Sequence, residues 1–308
     1  MYKLRYYQQE AVDSVFDYFS SYTGNPIIVL ATGAGKSLVI ADFAKEVCTR
    51  YSGQRILKLT HRKELIEQNY DKIISYWPEV EAGIYSAGMK RKELNYPITF
   101  AGIQSLARVS PHLIGKIDLI IIDECHLVSP SQSTQYRRLI DKLLEVNPYL
   151  KVVGLTATPY RLDAGPLTEG GFFTDICYDR GSLESFNQLV REGFLSRLIT
   201  KQTYTQVDLS GIHTRGGEFV PKELNAMMDQ AGITEQAVDE IVALGEDRRA
   251  WLIFCSGIEH TEHVAAALRE RGIVTAAVHS KMTADRAEVL ERFKRGEIQA
   301  VTNADVLT

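Results

Sequence analysis

The residues best suited to chemistry in this 308-residue chain are Thr32-Gly33-Ala34-Gly35-Lys36-Ser37. They follow an apolar run, Pro26–Leu30 (PIIVL), and open an amphipathic one, Lys36–Arg50. A strand, a glycine-rich turn and a helix start, in that order, make a cradle for phosphate. Gly33 and Gly35 let the backbone turn tightly and aim N–H groups at phosphate oxygens. The helix N-terminus adds positive dipole. Lys36 is then placed to neutralise β- and γ-phosphates, and Ser37 to ligate Mg²⁺. The strict pattern GxxxxGK[ST] asks for glycine at position 30, where this chain has Leu30. A glycine-rich turn before a helix that binds nothing would look the same.

A second cluster, Asp123-Glu124-Cys125-His126, follows the run Leu119–Ile122 directly. Carboxylates at the C-terminal edge of a parallel strand sit where ligands bind in such sheets. Asp123 would hold Mg²⁺ through its water shell, and Glu124 would orient and deprotonate an attacking water. Acids beside a buried run cost folding energy unless a metal or partner compensates. The plainer alternative is a pair capping a helix. Cys125 reads as packing.

Both clusters need elements to hold them. Pro26–Leu30, Arg55–Thr60, Ile98–Ala101, Asp118–Ile122 and Lys151–Leu155 read as buried strands, with amphipathic segments such as Lys36–Arg50 and Arg62–Trp77 between. Strand and helix in alternation predict an α/β fold with a parallel sheet covered on both faces. The pattern lapses over 161–182 and again over 209–219, which read as loops. It resumes with Ala250–Cys255, a helix near 258–271, Ile273–Val278, a helix near 283–295, and Ile298–Thr302. Two domains are expected, 1–182 and 183–308. The second ends one strand into a loop, so a further C-terminal part is expected to be missing.

Hydrophobic residues make up 45% and charged residues 24%, which excludes collagen-like, coiled-coil and wholly disordered chains. No apolar stretch reaches the roughly 20 residues that span a bilayer. The four cysteines are scattered without a CxxC pair, so neither a disulfide framework nor a zinc site is expected, and a reducing cytoplasm fits. The net charge of -4 gives no global attraction to nucleic acid, so any such site must be local. Ala87–Lys92 (AGMKRK) is one basic cluster, either a solvated face or a phosphate contact. His260 and His263 read as surface residues.

The two clusters, together with Thr156-Ala157-Thr158 after a third strand, resemble superfamily 2 helicases and translocases of the DEAH-like branch. The resemblance extends along nearly the whole chain and implies two RecA-like P-loop domains with parallel sheets, the second one incomplete. It implies ATP and Mg²⁺ as cofactors. Arg5 and Gln8, in LRxYQ, match the element that reads adenine. Thr32 through Ser37 match the phosphate loop. His61 and Arg62 match a motif touching the nucleic-acid backbone, and so do Gln104 and Ser105. His126, Thr156 and Thr158 match residues that couple hydrolysis to strand movement. Thr302 matches a backbone-contacting threonine of the second domain. The words LRxYQQEAVD, AGMKRKE, IIIDECH and VGLTATPYRL resemble the bacterial RadD-like DNA-repair ATPases, which favours DNA over RNA as partner. The arginine-bearing motif VI of these proteins has no match before Thr308. The resemblance therefore implies an ATP-dependent DNA motor completed by a missing segment or a partner. The alternatives are a nucleotide-binding fragment with little hydrolysis, an RNA helicase, or another P-loop class.

Overall fold

The computed structural model describes residues 3–61, 63–128, 134–161, 165–169, 172–205, 207–215, 218–228, 231–282 and 285–304. The chain divides into two compact units, Met1–Arg197 and Leu198–Thr308.

In the first unit α1 (Tyr6–Ser21) leads into β1 (Pro26–Leu30), which is apolar and buried at every position. Then come α2 (Lys36–Arg50), β2 (Ile56–Thr60), α3 (Lys63–Tyr76), β3 (Ala82–Ser86), β4 (Arg91–Lys92) and β5 (Ile98–Gly102). Two single-turn helices follow, α4 (Ile103–Leu106) and α5 (Pro111–Ile114). The unit continues with β6 (Leu119–Asp123), α6 (Gln135–Val146), β7 (Lys151–Thr156), a small ribbon of β8 (Tyr160–Arg161) and β9 (Gly165–Pro166), β10 (Asp175–Arg180) and α7 (Leu183–Arg191).

Eight strands form one sheet in the order β10-β1-β7-β6-β2-β5-β3-β4, parallel except for the edge strand β4. The sheet separates two apolar layers. Residues of α1, α2, α3 and α7 pack on one face around Val39, Phe43, Ile66 and Leu189. Residues of α4 to α6 pack on the other around Leu106, Ile114, Leu139 and Leu143. Burial on both faces is why the strands read as continuous apolar runs. All parallel strands point the same way, so Leu30, Thr60, Gly102, Asp123 and Thr156 end at one edge.

Some elements differ from expectation. β10 lies inside the stretch read as a loop, because an edge strand tolerates the charges of DICYDR. β3 was not expected either, since Gly83 and Ala82 weaken its strand signal. The first unit runs past residue 182 because Leu189, Phe194 and Leu195 pack into its core.

The second unit holds a short ribbon, β11 (Thr214–Arg215) with β12 (Glu218–Phe219), inside the expected flexible stretch. After it come α8 (Pro221–Met228), α9 (Ala231–Gly245), β13 (Trp251–Phe254), α10 (Ile258–Glu270), β14 (Thr275–Val278), α11 (Arg286–Lys294) and β15 (Ala300–Asn303). Its sheet is parallel, in the order β13-β15-β14. Two small apolar clusters support it, one around Trp251 and Leu268 and one around Val278 and Val301. No helix among the described residues is long and apolar enough to cross a membrane.

Candidate nucleotide site

The turn between β1 and α2 adopts the geometry its glycines predict. Gly33 and Gly35 have φ of 81° and 88°, in the left-handed region that side chains resist. Gly35 has a second constraint, because a Cβ there would lie 2.4 Å from Gln8 Nε2. The helix α1 braces this turn. Tyr7 Oη and Gln8 Nε2 both donate to the Ala34 carbonyl, at 3.0 and 2.9 Å. Gln8 is 2% exposed, and its Oε1 accepts from the Arg5 backbone N–H at 3.0 Å. Its amide thus bonds both the turn and the helix start, which fixes Gln8 beside the phosphate turn.

Arg5 is exposed and held from three directions. Its Nη1 donates to Tyr7 Oη and to the Phe194 carbonyl, each at 3.1 Å, and its guanidinium stacks 4.7 Å from the Phe194 ring. Leu195 reaches the same turn, with Cδ2 3.3 Å from where a Gly33 Cβ would stand. Thr32 and Gly33 are exposed, and Ser37 is half-buried. A turn with two positive φ values, exposed at Thr32 and Gly33, suits an anion.

The acidic cluster lies at the end of β6. Lys36 Nζ stands 3.5 Å from Glu124 Oε1, which joins the two sequence clusters directly. Glu124 Oε2 lies 3.5 Å from His126 Nδ1, and that nitrogen shares a 2.9 Å hydrogen bond with Thr156 Oγ1. Thr156 in turn accepts from the Thr158 N–H at 3.0 Å. His126, Thr156 and Thr158 thus form one connected chain leading from Glu124. Burial pushes the His126 imidazole below its ordinary range, so it is neutral near pH 7. Glu124 has φ 50° and ψ 50°, a left-handed conformation that costs a non-glycine residue about 1–3 kcal/mol. Strain of this kind concentrates at functional positions. Cys125 is fully buried, and burial raises its thiol, which agrees with a packing role.

Asp123 is buried and satisfied on both oxygens. Oδ1 accepts from the Glu124 N–H at 3.1 Å. Oδ2 accepts from Lys58 Nζ at 3.3 Å and from Asn69 Nδ2 at 3.4 Å. Sequence reasoning missed Lys58 and Asn69. It also missed Arg161, whose guanidinium donates to the His126 and Val128 carbonyls and anchors the segment after the acidic cluster. Burial pushes the Lys58 ammonium below the usual lysine range, and the Asp123 carboxylate beside it opposes that shift.

A neighbouring stretch of the same edge gathers the residues expected to touch nucleic acid. Gln104 Nε2 donates to the His61 carbonyl at 3.1 Å, and Ser105 Oγ accepts from the Ala87 N–H at 3.0 Å. The ends of β2, β3 and β5 are therefore tied together. Arg62 lies outside the described residues. In the basic cluster Arg91 is paired with Glu93 at 2.7 Å and stacked 5.0 Å from the Tyr70 ring, while Lys90 and Lys92 are exposed. Thr302 is elsewhere, in the second unit. Its side chain is fully buried and donates to the Thr261 carbonyl at 3.0 Å, so it is not offered to a ligand. His260 is buried too, against Ser256 Oγ at 2.9 Å, which corrects its reading as a surface residue.

The family model for the type III restriction enzyme res subunit matches residues 1–161, more than half of the 308. The chain belongs to that family. It shares its helicase relatives' superfamily, superfamily 2. The ATP-dependent-helicase-type protein IRC3 of Saccharomyces cerevisiae is 25% identical over 99% of this chain and 45% of its own length. Its Schizosaccharomyces pombe counterpart, described as mitochondrial, is 27% identical over 99% of this chain and 50% of its own. A type I restriction enzyme EcoAI endonuclease subunit of Escherichia coli is 24% identical over 86% of this chain and 34% of its own. This res-family chain thus spans about half the length of the curated relatives it matches. Among solved structures, the type ISP restriction-modification enzyme LlaBIII bound to DNA aligns with a TM-score of 0.63 at 15% identity, covering 98% of this chain and 24% of that one. Saccharomyces cerevisiae Dbp5 bound to RNA and ADP BeF3 aligns at 0.57 and 13%, covering 99% and 71%. The fold is that of RecA-like helicase domains, as the family resemblance implied, and its parallel α/β sheet is what the alternating strands and helices predicted.

Proposed function

We propose that this chain binds ATP with Mg²⁺ at the phosphate turn of its first unit and hydrolyses it as a nucleic-acid-stimulated motor ATPase. The observation that carries this reading is the 3.5 Å approach of Lys36 to Glu124. It brings the phosphate-binding cation and the candidate base to one point on the sheet edge.

The residues present suit the cofactor. Ser37 offers a hydroxyl at the helix start, and Asp123 offers a fixed carboxylate whose oxygens already accept protein donors. A carboxylate so held favours contact with a metal through water rather than direct capture. Mg²⁺ would neutralise charge developing on the phosphates. The rest belongs to the chain. Gly33 to Ser37 present N–H groups to the phosphates. Lys36 leaves Glu124 for the β- and γ-phosphates. Glu124, released from that pair, accepts a proton from the attacking water. His126 carries the change to Thr156 and Thr158. Arg5, with one face on Phe194, offers its other face to the base.

His61, Gln104, Ser105 and the exposed Lys90 and Lys92 would follow a strand's phosphates with little sequence preference. DNA is the favoured track, supported by restriction enzymes among the relatives and by the RadD-like words. Repair or restriction is the favoured setting.

The test is steady-state hydrolysis with no nucleic acid, single-stranded DNA, duplex DNA and RNA, with Lys36→Ala as blank. Stimulation by DNA that Lys36→Ala abolishes is expected. Hydrolysis indifferent to every nucleic acid overturns the motor reading. Nucleotide binding without turnover would leave a binding module instead.

A further inference from the structure

Lys58 is an anomaly in the first unit. It lies on β2, a central strand between β5 and β6, and is 1% exposed. A lysine so placed must give up nearly all its hydration, and an ammonium recovers that loss only against an anion. The register shows which one. Lys58 is opposite Ile121 on β6. Side chains alternate faces along a strand, so Asp123, two residues on, shares the face of Ile121 and stands diagonal to Lys58. Lys58 Nζ reaches Asp123 Oδ2 at 3.3 Å, and Asn69 from α3 reaches the same oxygen at 3.4 Å. The surrounding face is apolar, with Ile56, Ile66, Ile121 and Val153 in one cluster.

Such a pair is a poor device for stability, since apolar residues of similar volume often replace a buried ion pair without loss. Its value must lie in what it does to Asp123. We infer that Lys58 is the resident counter-cation of Asp123, positioning the carboxylate and keeping it from taking a divalent cation until a nucleotide's phosphates supply the remaining ligands. The proposal rests on the ATP–Mg²⁺ reading above. Physically, a fixed positive charge 3.3 Å from a carboxylate oxygen lowers the field any second cation meets there. Triphosphate brings charge enough to offset it. The site is thereby closed to metal alone and open to metal with nucleotide. Asn69 helps fix the oxygen's direction and adds no charge.

The experiment is Mn²⁺ binding to the full chain, followed by electron paramagnetic resonance at one pH, without nucleotide. Wild type is compared with Lys58→Gln, which keeps a donor and removes the charge, and with Lys58→Met. Each is also made with Asp123→Asn. Folding of every variant is checked by thermal melting. If Lys58→Met does not fold, Lys58→Gln carries the test. If neither folds, Asn69→Ala under a salt series of Mn²⁺ titrations is compared with wild type. It should leave metal-alone binding as weak as wild type, because the blocking charge remains. Tightening on Asn69→Ala would overturn the inference.

Removing the Lys58 charge is expected to tighten Mn²⁺ binding at least tenfold, and Asp123→Asn is expected to cancel the gain. Removing a lysine that does not set the field at Asp123 would not raise affinity for a cation. Unchanged or weaker Mn²⁺ binding in a folded Lys58 variant overturns the inference, and so does a gain that survives Asp123→Asn. Binding of a non-hydrolysable ATP analogue with Mg²⁺ to wild type is measured in parallel. If that fails, the ATP reading falls with it. If it succeeds while Mn²⁺ binding ignores Lys58, only this inference falls.

Discussion

Glu124 holds the most informative single conformation in the molecule. Its φ of 50° places a non-glycine residue where Cβ crowds the carbonyl oxygen. Its carboxylate meets two cation-capable groups, Lys36 and His126, each at 3.5 Å. Both are partly solvated contacts, worth little in stability. The strain is therefore not repaid locally, as expected where a side chain is kept for chemistry. Two substitutions separate backbone from carboxylate. Glu124→Ala and Glu124→Gly both remove the acid, and each should lower ATP turnover by roughly 10²–10⁴. Only glycine relieves the left-handed strain. Glu124→Gly should be more stable than Glu124→Ala by about 1 kcal/mol in chemical denaturation. Equal stabilities would show that the strain is not borne at this residue. Full turnover in either would remove Glu124 from the chemistry.

Among the elements, the helix α7 and the turn after it do what no motif announces. Gly193, at φ 76°, ends the helix, and the Phe194 and Leu195 N–H groups close back on the Leu189 carbonyl at 2.8 and 3.1 Å. The turn carries Phe194 under the Arg5 guanidinium, 189 positions away in the chain. Cation–π contacts at exposed sites contribute roughly 0.5–1 kcal/mol. Phe194→Ala should therefore weaken nucleotide binding by about 2–5-fold. In an Arg5→Ala background it should add almost nothing, because the two residues act as one unit. Additive losses, measured by nucleotide titration of the four proteins, would show that Phe194 does not act through Arg5. The same elements show what was legible beforehand. The phosphate turn and the acidic strand end are local patterns, and both stand where their flanking runs put them. Lys58 could not be seen the same way. RILKLT reads as a buried strand, but nothing in it says what its lysine meets. Only the pairing of β2 with β6 brings Lys58 to Asp123. β10 was hidden for a different reason, since an edge strand need not be apolar. Gly154 is a third case. A Cβ there would meet Phe173 at 2.7 Å and Cys125 at 2.8 Å, a tertiary contact with no signature in the strand KVVGLT.

At the scale of the whole molecule, the two units are unequal in what holds them. The first has an eight-stranded sheet between two large apolar layers. The second has a three-stranded sheet, a two-stranded ribbon and, among the described residues, two small clusters. Among the described residues, none in the larger clusters comes from beyond Leu195, and none in the smaller ones from before Val238. Hydrophobic stabilisation scales with the apolar area buried, so separate cores of such different size should not melt together. Calorimetry of the full chain should show two transitions, the lower from the second unit. Every residue assigned to the phosphates lies between Thr32 and Glu124, inside the first unit. A ligand that binds only the folded form stabilises it by RT ln(1 + [L]/Kd), about 2.7 kcal/mol at a hundredfold excess over Kd. MgADP at that excess should raise the upper transition and leave the lower where it is. Lys36→Ala should abolish the rise without moving either baseline transition by more than a degree or two, since Lys36 contributes one partly solvated ion pair. A single cooperative transition would mean that the cores are coupled. A rise confined to the lower transition would place nucleotide binding outside the first unit and remove the basis for every role given to Lys36 and Glu124.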